Sequence, residues 1–218
     1  MRRSAFRVLP HPGAVAALLL RAHPRRCLLR TLFPMRCLTY SECAEWCSRR
    51  DFPTRHIEGY VVGPDPDIES PPFHFVEFTL PTDLGQKVAY GRFRYSLVDP
   101  APELLIWLGD WSVWPSSQHL PLFTRFRQAH GESRPLIDAP GHLLTAEEAD
   151  DAVSILVVSL QFVWNCHILT SSGRDAVFVS HDEFGWFASR DESAADSVRQ
   201  KIEETWSETV DTKAGVSH

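Results

Sequence analysis

Residues 145–180 read TAEEADDAVSILVVSLQFVWNCHILTSSGRDAVFVS, and this stretch decides the fold. Thr145 with Glu148 three residues on is a capping box, a hydroxyl and a carboxylate each satisfying a free N–H where a helix begins. The helix it opens is expected to run to about residue 163. From Ile155 to Trp164 only Ser159 and Gln161 are polar, so the helix turns from amphipathic to buried all round and serves as the central core helix. Cys166 to Thr170 and Ala176 to Ser180 then form two short strands around Ser171-Ser172-Gly173-Arg174, a hairpin signal.

Upstream, the elements alternate. Ser41 is placed to cap a short helix over 42–50, stopped by Pro53. Gly63 to Pro72 is rich in turn formers and reads as loop. Phe73 to Leu80 reads as a strand, and Asp83 opens a helix over about 84–97. Leu104 to Leu108 is an unbroken apolar run bounded by Pro102 and Gly109, the pattern of a buried strand. A helix over about 118–130 follows, with Pro121 in its first turn, Leu122, Phe123 and Phe126 facing inward, and Gly131 just past its end. The order of elements predicts an α+β fold: a single domain with a small mixed sheet and a C-terminal hairpin packed on a central buried helix.

Charge divides the chain. Residues 1–41 hold eight arginines and no acid, whereas the remainder holds 28 Asp+Glu against 14 Lys+Arg. We therefore expect a basic head over 1–35 outside the fold, the α+β domain over 36–190, and a polar C-terminal tail over 191–218. Ala195, Val198, Ile202 and Trp206 give that tail the stripe of a weakly docked helix. The head admits three readings: a secretory signal, an organellar transit segment, or an extension upstream of a true start at Met35. Its apolar run, Ala14 to Leu20, is far too short to span a membrane. The acidic domain argues against nucleic acid, whose phosphates need a basic face. Five unevenly spaced cysteines suit reduced thiols and a cytoplasmic setting rather than a disulfide framework.

Few motifs carry chemistry. Gly109 to Ser117 follows the buried strand, where α/β folds present ligand loops. Trp111, Trp114, Ser116 and Ser117 are its candidate binding residues, against a plainer reading in which the tryptophans close the core and a serine caps the next helix. Asp110, His142, His181, Asp182 and Glu183 are the candidate catalytic residues. Adjacent side chains such as Ser180, His181 and Asp182 cannot form a triad with one another, so His181 would need a helper brought from elsewhere. Ser180 and Glu183 are equally spaced as another capping box or as a tight turn leaving the strand. Cys37, Cys43, Cys47 and His56 lack the paired spacing of a zinc knuckle, and Cys43 and Cys47, one helical turn apart, read as small buried apolar residues; no metal or other cofactor is expected.

The order Trp114-Pro115-Ser116-Ser117, Arg134 to His142, a long apolar helix and Ser180-His181-Asp182-Glu183 resembles a group of bacterial proteins over roughly 75–187. The resemblance implies a bacterial cytoplasmic setting; that group has no assigned activity, so no residue role follows from it. The leading expectation is a small acidic intracellular module that binds a protein partner, a basic one by charge, in the manner of an immunity or inhibitor protein. The alternative is a small hydrolase or transferase with a His/Asp cleft.

Overall fold

The computed structural model of the chain describes residues 35–57, 60–62, 73–98, 102–111 and 115–214. The head, the loop read over 63–72 and Trp114 lie outside the described residues. The elements are β1 (Arg36–Leu38), α1 (Tyr40–Ser48), β2 (Arg55–Ile57), β3 (Tyr60–Val62), β4 (His74–Thr79), α2 (Leu84–Leu97) and β5 (Glu103–Leu108). There follow a 3-10 turn (Pro115–His119), α3 (Pro121–Ala129), β6 (Gly141–Thr145), α4 (Ala149–Phe162), β7 (Cys166–Thr170), β8 (Asp175–Val179), β9 (Phe184–Ser189) and α5 (Glu192–Ala214). Seven strands form one sheet in the order β1-β6-β5-β7-β8-β9-β4, and β2 pairs with β3 apart from it. The class is α+β. The sheet is larger than expected and antiparallel at every pairing, not mixed.

Strand alternation sorts the side chains into two buried layers. Leu104, Ile106 and Leu108 of β5 join Ile168 of β7, Val177 of β8 and Phe187 of β9 on one face, packed against Ile155, Leu156 and Leu160 of α4 and Tyr90 of α2. Leu105 and Trp107 point the other way, with Leu169, Phe178 and Trp186, onto Cys43, Trp46 and Cys47 of α1. Helix α4 is the core helix of the first layer. Its capping box forms as expected, Glu148 Oε2 accepting from the Thr145 N–H at 2.9 Å, although a short 3-10 turn separates the box from the helix proper. The helix is not buried all round: Val157 and Val158 are half-buried, and Phe162 is 38% exposed. A Cβ on Gly91 of α2 would lie 2.7 Å from a Val157 methyl, so the glycine sets the close approach of α2 to α4.

Other details differ locally. Thr39, not Ser41, caps α1, its hydroxyl accepting from the Glu42 N–H at 3.3 Å. Asp83 caps α2 as expected, accepting from the Gln86 N–H at 3.0 Å. In α3 Phe123 and Arg127, one turn apart, are buried and Phe126 packs against the core as expected, but Leu122 is 79% exposed because it sits about 100° around the helix from Phe123. Gly131 takes φ +83° just past the α3 C-cap. The C-terminal segment is a helix that packs Ala195 and Val198 into the core.

Candidate functional site

Three chain segments meet beyond the end of β5. Gly109 N–H donates to Asn165 C=O at 2.8 Å, and Asn165 N–H donates to Asp110 C=O at 2.9 Å, fixing the α4–β7 link against the β5 end. The link is bent by Val163, a left-handed residue (φ +56°) whose position usually falls to glycine. The β8–β9 turn closes the third side. Ser180 N–H donates to Phe184 C=O at 2.8 Å, Asp182 N–H donates to Ser180 Oγ at 3.1 Å, and Glu183 is left-handed at φ +64°. Two of the three non-glycine positive-φ residues among the described residues thus flank one corner, the kind of local strain that gathers at working sites.

His181 occupies the middle. Asn165 Oδ1 accepts from the His181 backbone N–H at 2.7 Å and lies 2.9 Å from Nδ1. A carbonyl oxygen can only accept, so Nδ1 carries the hydrogen, and Nε2 is either a free base or the second protonated nitrogen. Asp110 Oδ2 stands 3.7 Å from Nδ1 and Asp182 Oδ1 stands 3.5 Å from Nε2. The ring is 29% exposed, Asp182 is 68% exposed, and Glu183 and Phe184 next to it are exposed. The structure therefore brings Asp110, His181 and Asp182 together, with Asn165 as the residue that orients the imidazole. Sequence reading did not single out Asn165, because its role depends on a helix end and a hairpin turn far apart in the chain.

The other candidates lie elsewhere. His142 is on β6, paired with Ile106 and facing α3, where its ring meets Phe123 at 5.6 Å between centroids. It is fully buried, and burial, aided by the nearby Arg127 guanidinium, pulls its pKa down to about 3. The Ile106 and Pro140 backbones offset only part of this, and neither ring nitrogen has a well-formed hydrogen bond. It cannot join His181. Trp111 is 8% exposed and meets Trp164 edge-on at 5.3 Å, so it closes the core and is no surface anchor. Ser117 is buried and accepts from the Trp164 indole N–H at 2.7 Å; Ser116 is exposed. Cys43 and Cys47 are buried, and burial raises both thiols, Cys47 to about 12. They are apolar filler under the sheet.

A groove of about 260 Å³ runs between α2 and α5, lined by Ser96, Arg174, Asp175, Ser197 and Lys201 among others. It lies away from His181. Its buried carboxylate, Asp175, is already held by Ser189 Oγ at 2.6 Å and Arg174 Nε at 2.9 Å. Among the described residues no helix is long and apolar enough to cross a membrane. No protein-family model, curated protein or solved structure matches the chain.

Proposed function

We propose that the chain is a cytoplasmic protein-binding module that engages a basic partner through the corner made by Asp110, Asp182, Glu183 and Phe184. The observation that carries this reading is the β8–β9 turn. It presents two exposed carboxylates beside a phenylalanine that is 43% exposed, on a backbone locked at its base. A rigid turn loses little conformational entropy on binding, so its contacts count nearly in full. An acidic surface speeds encounter with a cationic partner, and an exposed aromatic beside it supplies the apolar anchor. Inhibition of a basic nuclease or toxin is one form such binding would take.

The test is capture from the native cell followed by titration with the recovered protein. The Asp182→Lys/Glu183→Lys variant should keep its circular dichroism spectrum and lose at least tenfold in affinity. Added salt should weaken the wild type more than the variant. Equal affinity for both chains would sink the reading.

A second reading rests on His181 itself. With Nδ1 committed to Asn165 Oδ1, Nε2 is the basic nitrogen at a half-exposed position, the arrangement of a general base that activates water in a small hydrolase. A panel of p-nitrophenyl esters and phosphates separates the two. Turnover that disappears in His181→Gln and survives the double lysine variant supports the enzyme. No turnover above buffer removes it.

A further inference from the structure

A second cluster of polar groups sits at the other end of α4, at its N-terminus, and neither proposed activity uses it. His130 ends α3, Glu148 closes the 3-10 turn before α4, and Asp151 lies in the first turn of α4. One donor atom from each of the three falls within 4.8 Å of the other two. His130 Nε2 is 3.8 Å from Asp151 Oδ2, their side chains only 17% and 13% exposed, and the Phe126 ring 5.1 Å away holds the imidazole in place. Glu148 is nine-tenths buried, and both of its capping hydrogen bonds, from Thr145 N–H and Oγ1–H, go to Oε2 alone.

We infer that His130, Glu148 and Asp151 form a site for a divalent transition-metal ion, with zinc as the reference case. Two carboxylates balance a dication, and an imidazole nitrogen favours zinc and its neighbours over magnesium or calcium, which take oxygen ligands. Small side-chain rotations would bring the three donors to the roughly 2.0–2.2 Å that zinc takes from histidine and carboxylate. Three protein ligands leave a position for water, and the partial exposure of His130 and Asp151 gives the ion a way in. The N-terminus of α4 repels a cation, which the paired carboxylates must outweigh. The ion would tie the end of α3 to the start of α4, so binding and folding stability are linked.

The experiment is calorimetric titration of the EDTA-stripped full chain with zinc chloride, with melting curves at zero and excess zinc. The expected result is one saturable equivalent per chain and a higher Tm with zinc. His130→Ala and Asp151→Asn should each weaken binding at least tenfold and abolish the Tm rise, with circular dichroism unchanged in the metal-free state. A Cys37→Ala/Cys43→Ala/Cys47→Ala variant should bind as the wild type does. No saturable binding, full binding by both single variants, or loss only in the cysteine variant would overturn the site. If one single variant fails to fold, the other decides.

Discussion

Arg94 is fully buried on α2, its guanidinium carbon 3.0 Å from the centroid of Phe78 and 4.2 Å from that of Tyr90, and none of its three nitrogens has a hydrogen-bond partner. Burial holds its pKa well below the usual guanidinium value. Cation–π attraction returns about 2 kcal/mol when desolvated, less than the several kcal/mol that burying an unpaired charge costs. Arg94→Met should therefore leave stability unchanged or raise it by about 1–4 kcal/mol. A loss above about 2 kcal/mol in urea unfolding would show that the ring contacts outweigh desolvation. The buried imidazoles make a second claim. Burial lowers His142 to about 3 and His167 to about 4, so both stay neutral in the fold and take up protons on unfolding once pH drops below about 6.5. Their contribution is complete above that pH and is lost progressively from about 6.5 down to about 3–4, on the order of a few kcal/mol for each. His142→Gln should flatten the stability–pH curve between pH 6.5 and 5, above the range where carboxylates contribute. An unchanged slope there would refute the assignment.

At the level of elements, α4 bears most of the first layer. Leu156 and Leu160 are almost fully buried, so either changed to Ala should cost about 2–5 kcal/mol, whereas Thr145→Ala, which removes a cap, should cost about 1 kcal/mol. Chemical denaturation of the three variants checks the ranking; near-neutral leucine variants would mean the helix lies on the surface. Gly91→Ala should cost a comparable amount, because the added methyl meets Val157 where α2 and α4 touch. This helix and the β7–β8 hairpin were legible because capping and periodicity are local signals. Strands β1, β6 and β9 were not. Arg36–Leu38 is only three residues long, and Gly141–Thr145 merges into the capping box. Phe184–Ser189 is aromatic but follows a turn that also reads as a helix cap. Each is recognisable only by the strand beside it. The corner around His181 was half legible: its acids stand out in sequence, but Asn165 acquires its role through long-range pairing.

Across the whole molecule, the polar C-terminal segment belongs to the fold. Read along the chain it is a charged tail with a thin apolar stripe, yet Ala195 is 1% and Val198 4% exposed, and Ile202 packs against the same core cluster, which includes Val76 and Phe187. Its other sides are acidic and basic residues in water, which explains why composition alone places it outside. The strands it covers, β4 and β9, lie at one end of the sheet, with β4 at the edge. Burying a valine is worth about 1.5–3 kcal/mol, and the alanine and part of the isoleucine add to it. Removing residues 191–218 should then cost roughly 3–6 kcal/mol, a large share of the roughly 5–15 kcal/mol typical of a domain. Val198→Asp should approach the same loss by forcing a charge into the cluster, while Glu203→Ala on the exposed side should change little. A lower urea midpoint and new binding of a hydrophobic dye in the shortened chain are the expected signs. A shortened chain that unfolds at the full-length midpoint would mean the helix rests on the sheet without stabilising it.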